Sequence, residues 1–142
     1  ADAGTRLVVV GAGGFDTHAN QLPERAALLA DVAAGIDAFF DSIEATGLAD
    51  DVLLVVTSEF GRRAAENGSG GCDHGAGGLS LAFGNGVRGG VFGAVDLADL
   101  LDGAVRPTVA PPPLLPRCLD WLGVDAGHIL GARDDSLDLL LA

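Results

Sequence analysis

Two short apolar runs constrain this chain most. Residues 5–11 read TRLVVVG and residues 52–57 read VLLVVT. Neither run alternates apolar with polar residues. A strand that is apolar on both faces must be covered on both, which is the condition of an interior strand in a parallel sheet. Between the runs, residues 23–46 change to a helical period. Leu22, Ala26, Leu29, Ala33, Ile36, Phe40 and Ile43 recur at spacings of three and four and draw one apolar stripe. Pro23 suits the first helical turn, and Gly47 suits the position just past the end. A strand, helix and strand of these lengths form a right-handed parallel crossover. The expected fold class is therefore α/β with a parallel sheet. Such a crossover places the residues after both strands at one sheet edge, where open α/β sheets bind their ligands.

The remaining chain is more broken. Residues 66–78 (ENGSGGCDHGAGG) form a glycine-rich loop, residues 79–83 are expected as a third strand, and residues 84–90 as a turn. Residues 96–102 suit a helical turn, residues 111–116 a rigid proline connector, and residues 114–122 a short helix around Trp121. Residues 137–141 are expected as a small closing strand. With 142 residues, of which 49% are hydrophobic, the chain fits one domain over residues 1–142. A chain near this size buries roughly two-thirds of its unfolded surface. It opens Ala1-Asp2-Ala3-Gly4 with no initiator Met and no signal peptide pattern, as expected of a processed chain or one excised from a longer one.

A formal net charge of −12 with no basic stripe argues against nucleic acid as a partner. No apolar run reaches membrane-spanning length. Most of the acidic excess, including Asp96, Asp99, Asp102, Asp134 and Asp135, is read as a solubilising surface. Cys72 and Cys118 do not make a disulfide framework.

Chemistry concentrates after the two strands and in the glycine-rich loop. Asp16 and His18 follow the first strand, separated by one residue, so both can project to one side of an extended loop. Carboxylate oxygen and imidazole nitrogen are ligands for zinc and related divalent ions. The ordinary alternative is a turn-capping Asp beside a surface His. Glu59 follows the second strand, placed to meet the first loop. Arg62 and Arg63 follow it and can bind an anionic ester oxygen through the guanidinium fork, or simply pair with Glu59. His74 lies among glycines and has little to pack against, which favours a metal or substrate role over a core one. Asp73 suits a ligand or a group that orients an imidazole. His128 is expected at the surface. No phosphate-binding glycine loop is present, because the Gly-Lys-Ser/Thr signature and the dinucleotide fingerprint are both missing. Gly68-Ser69-Gly70 lacks the strand-turn-helix context of a nucleophile elbow.

Three segments together resemble one bacterial family. They are Gly13-Gly14-Phe15-Asp16-Thr17-His18-Ala19-Asn20-Gln21, Ser58-Glu59-Phe60-Gly61-Arg62-Arg63, and Glu66-Asn67-Gly68-Ser69-Gly70-Gly71-Cys72-Asp73-His74-Gly75. With residues 86–90 and Asp120-Trp121-Leu122-Gly123, they are similar to the carboxyl-terminal half of domain of unknown function 1501. The resemblance implies membership of the alkaline-phosphatase-like superfamily, with its phosphatases, sulfatases and cofactor-independent phosphoglycerate mutases. It implies a parallel-sheet three-layer fold, represented here by the metal-ligand half. By resemblance, Asp16, His18 and His74 complete one metal, and Glu59 stands where the superfamily places an Asp for a second. Phe60 stands where the superfamily carries His, and Asp16 and His18 are closer than in its usual pattern. No residue corresponds to the nucleophile, which the superfamily takes from an amino-terminal half. The resemblance also implies an extracytoplasmic location.

The expected function is a metal-dependent hydrolase, or part of one, acting on small anionic phosphate or sulfate esters. Its expected cofactor is a divalent metal, zinc first, with manganese, calcium and magnesium as alternatives. Asp16, His18, Glu59, Asp73 and His74 are the candidate metal residues, and Arg62 is the candidate catalytic residue. The competing expectation is a non-catalytic binding or assembly subunit, or one half of a two-chain enzyme that pairs with an amino-terminal half.

Overall fold

The computed structural model describes residues 4–108 and 114–130. The helical period becomes α1, Gln21–Glu44. Gly47 follows its end at φ 73°, a conformation that costs glycine little. The start of α1 has no side-chain cap. Instead the Asn20 and Gln21 amides donate to the Ser69 and Gly70 carbonyls at 3.0 and 2.8 Å. Two of the amide donors around this helix start are thus satisfied by the glycine-rich loop.

The second apolar run forms β1, Leu54–Val56. Five further short strands pair locally: β2, Gly61–Arg62; β3, His74–Gly75; β4, Leu81–Phe83; and, after a gap, β5, Leu100–Leu101, with β6, Ala104–Val105, as its hairpin partner. β1 pairs with β4, β2 with β3 and β5 with β6, all antiparallel among the described residues. The expected parallel pairing of residues 5–11 with β1 is not formed among them. Those residues carry no strand, and Leu7, Val8, Val9 and Val10 are 71–86% exposed. Arg6 ties the segment to a distant part of the chain by donating to the Leu122 carbonyl at 2.9 Å.

The helical turn expected over residues 96–102 is instead an Asp-Gly hairpin. Asp102 and Gly103 both have positive φ, 50° and 78°, as the two central residues of a type I′ turn require. Arg106 donates to both carboxylate oxygens of Asp99 at 3.0 and 3.1 Å. The guanidinium's hydrogen bonds and charge hold that carboxyl below the ordinary Asp range. Asp99 is thus an ion-pair partner as well as a solubilising charge.

α2, Leu114–Trp121, and α3, Ala126–Leu130, pack together near the end of the described chain. Gly123 at φ 73° closes α2, donating to the Asp120 carbonyl. Trp121 lies against Gly86, and His128 is exposed. The connector residues 109–113 and the strand expected over residues 137–141 lie outside the described residues.

Among the described residues burial is sparse, and part of it lies under the loops. Gly61, Gly71 and Ala104 are buried there, where β2 is bracketed by β3 and by the Arg63–Ala104 bridge. A Cβ on Gly61 would overlap the Gly77 carbonyl, and one on Gly77 the Val105 carbonyl. Overpacking against backbone costs about 1–3 kcal/mol. Gly61→Ala is therefore expected to lower the thermal midpoint by several degrees, whereas Gly68→Ala, with open space around it, leaves it nearly unchanged. Thermal denaturation followed by circular dichroism checks the pair.

Candidate metal centre

The loop after residues 5–11 and the glycine-rich loop lie side by side. The Ala19–Gly70 bridge, the Asn20 and Gln21 amides, and the Cys72 amide donating to the Thr17 carbonyl at 3.4 Å join them. This contact needs a glycine at position 71, because a Cβ there would collide with the His18 carbonyl group and the Ala19 nitrogen. β2 and β3 complete the frame. Their register sets Arg62 opposite His74, and the Arg63 amide donates to the Asp73 carbonyl at 2.9 Å.

Three ligand-type atoms converge in this frame. His18 Nε2 lies 3.0 Å from His74 Nε2, His74 Nε2 lies 3.0 Å from Asp16 Oδ1, and His18 Nε2 lies 3.1 Å from the same oxygen. Metal bonds of about 2.0–2.1 Å separate neighbouring ligand atoms by about 2.9 Å at right angles and about 3.3 Å at the tetrahedral angle. The observed edges fall between these values. The donor set, two imidazoles and one carboxylate, is one that zinc accepts. The residues therefore fit a divalent ion. All three are exposed, with side chains 49–57% accessible, so the centre faces solvent on an open side.

The neighbours hold the three ligands from behind. Asp73 Oδ1 lies 3.5 Å from His18 Nδ1, on the side of the ring away from the cluster. Phe60 stacks on His74 with ring centroids 3.8 Å apart and planes 21° from parallel. Phe60 thus holds the plane of the His74 imidazole. Arg62 Nη2 donates to Asp16 Oδ1 and to the Phe15 carbonyl, and Nη1 donates to the Cys72 carbonyl at 2.6 Å. Its side chain is only 15% exposed. Arg62 binds both loops, so much of its donor capacity is spent on the protein itself.

Charge follows this geometry. Desolvation raises the Asp16 carboxyl, but hydrogen bonds from His74 and Arg62, with their charges, outweigh it and hold the group below the usual Asp value. Asp73 is also lowered, first by its hydrogen bond from Asn67, against desolvation, and further by His18 and the charge of Arg63. Both carboxylates remain ionised at a more acid pH than a free Asp.

Of the residues singled out from the sequence, Asp16, His18 and His74 meet directly and Asp73 stands behind His18. Glu59 does not join them. It forms no ion pair with Arg62 or Arg63, so its pairing alternative is not realised among the described residues. Cys72 contributes backbone groups and its thiol is free. The sequence reading missed Asn67, whose side chain bridges the two loops. Only its place in a glycine-rich turn, where Asn side chains bond nearby backbone, pointed to it.

A family model described as a protein of unknown function (DUF1501) matches residues 1–137. No curated protein and no solved structure matches the chain.

Because Gly71 admits the His18 backbone, Gly71→Ala is expected to push His18 away from His74 and weaken Co(II) binding at least tenfold. A spectroscopic Co(II) titration checks it, with Gly68→Ala as the variant that keeps wild-type affinity.

Proposed function

We propose that this chain, which belongs to the family of proteins of unknown function (DUF1501), is a metal-dependent hydrolase, or the metal-bearing part of one, acting on phosphate or sulfate esters. One observation carries the proposal: Asp16, His18 and His74 present three ligand atoms to one point at mutual distances of 3.0–3.1 Å on an exposed face. Three protein ligands with an open side are the pattern of catalytic ions, whereas structural zinc sites are closed by four. A bound divalent ion would polarise the ester and stabilise charge on the attacking and leaving oxygens.

The chain's own residues supply the rest. Asp16 brings one negative charge to the cluster, and Arg62 offsets it with one positive charge on the same oxygen. Such a centre, once loaded, carries net positive charge and suits an anionic ester over a neutral one. Arg62 is assigned to this reaction as the residue that sets the charge and position of Asp16. Asp73 is assigned to orienting His18. Glu59, next to Phe60 and without an ion pair, is the carboxylate left for a second ion. Zinc is the first assignment for the site, with manganese, magnesium or calcium as the alternatives. The sequence resemblance extends the proposal to the alkaline-phosphatase-like superfamily, to its parallel three-layer fold and to an extracytoplasmic location.

Protein purified without chelators is expected to carry about one divalent ion per chain by elemental analysis. His18→Ala and His74→Ala should each lose it, and hydrolysis of p-nitrophenyl phosphate or sulfate should fall with it. Metal-free wild-type protein that takes up no added zinc or manganese would sink the proposal.

A second proposal concerns what completes the chain. Leu7, Val8, Val9 and Val10 are 71–86% exposed, and none of them makes a backbone hydrogen bond. Apolar side chains on both faces and open hydrogen-bonding groups on both edges are the needs of an interior strand. A partner chain or an amino-terminal half that supplies flanking strands would meet them. In that case activity requires both parts. Val9→Asp is expected to leave the thermal midpoint unchanged and abolish self-association or partner capture in sizing experiments. A wild-type chain that is a clean monomer with full ester turnover would rule the partner out.

A further inference from the structure

We propose that Asn67 is the positioning residue of the metal centre, joining the two ligand-bearing loops and, through Asp73, setting the tautomer of His18. This rests on the metal reading above and adds to it a residue that touches none of the three ligand side chains.

Four hydrogen bonds meet on the Asn67 side chain. Its Oδ1 accepts from the Ser69 amide at 2.9 Å and from the Gly71 amide at 3.0 Å. Its Nδ2 donates to the His18 carbonyl at 3.0 Å and to Asp73 Oδ1 at 3.2 Å. An amide side chain offers two donors and one oxygen with two lone pairs, so Asn67 is fully engaged. The acceptor half shapes the 67–71 turn, which the Asn67 amide also closes by donating to the Gly71 carbonyl at 2.8 Å. The donor half reaches out of the turn. One hydrogen holds the backbone of the ligand loop at His18. The other holds the carboxylate that faces His18 Nδ1 at 3.5 Å.

The consequence is chemical. A carboxylate beside Nδ1 favours the proton on that nitrogen, which leaves the Nε2 lone pair directed at His74 and Asp16. Without the hydrogen bond from Asn67, Asp73 is an exposed side chain free to turn into solvent. His18 then loses its bias between the two tautomers, and the cluster loses one prepared ligand. Outer partners of this kind change metal affinity by about 10–100-fold.

Asn67→Asp separates the two halves of the side chain. Aspartate still accepts from Ser69 and Gly71, so the turn persists, but it donates to neither His18 nor Asp73. The full-length chain is titrated with Co(II), and the His18 ring tautomer is read from its nitrogen chemical shifts in metal-free protein. Asn67→Asp is expected to bind Co(II) at least tenfold more weakly and to shift His18 away from the Nδ1–H form, with the helical circular dichroism of α1 retained. Asp73→Ala, at an exposed position, should reproduce the tautomer change and weaken Co(II) binding, and the double variant should shift the tautomer no further than Asp73→Ala alone. Should Asn67→Asp not fold, Asp73→Ala carries the same two measurements. Co(II) affinity within twofold of wild type together with an unchanged His18 tautomer, in either variant, would overturn the assignment. If wild-type protein binds no Co(II) at all, the metal reading fails, and the tautomer shift alone decides whether Asn67 positions His18.

Discussion

The close approach of the glycine-rich loop to the backbone at His18 is the contact from which the rest of the site follows. Gly71 is buried against His18 and Ala19 because it has no Cβ. That approach lets loop carbonyls satisfy the first amides of α1. It also brings His74, 56 residues away in sequence, to 3.0 Å from His18. Arg62 and Asn67 then lock the arrangement from opposite sides, one through Asp16 and the Phe15 and Cys72 carbonyls, the other through the His18 carbonyl and Asp73. Among the described residues, the three ligand-type atoms and the groups behind them are positioned by hydrogen bonds among loops and by little apolar burial.

This division of labour explains how an exposed centre is held together. A loop is fixed when its backbone polar groups have partners, whether or not its side chains are buried. Here the partners are carbonyls and amides of the facing loop. Phe60 adds an aromatic contact at the centre, stacked on the His74 ring. Stacked on the ring, it keeps His74 in a defined plane.

Much of the candidate site was legible from residue type alone. Asp16 and His18 stand one residue apart after an apolar run, and His74 sits where no core could use it. Asp73 was open between ligand and orienting group, and the geometry puts it on the outer nitrogen of His18. Glu59 shows the limit of the same reasoning. Its position after β1 suggested convergence, but the triad closes without it. Arg62 was read as reaching for substrate, whereas its donors reach two protein carbonyls and a carboxylate. A guanidinium looks the same in a sequence whichever acceptor it finds.

The sequence by itself determined the extent of α1, within two residues at each end, and marked Asp16, His18 and His74 as side chains with ligand-type atoms. Both depend on local properties: the spacing of apolar residues over one helix and the presence of ligand atoms beside glycines. Only the tertiary structure decided that β1 lies antiparallel to β4, that residues 100–105 turn as a hairpin, that the Asn67 side chain bonds the His18 carbonyl and that Phe60 stacks on His74. These features depend on which segments meet across tens of residues. A strand run carries no mark of its partner's direction, and an amide or a phenyl ring acquires its role only from the groups that folding places beside it.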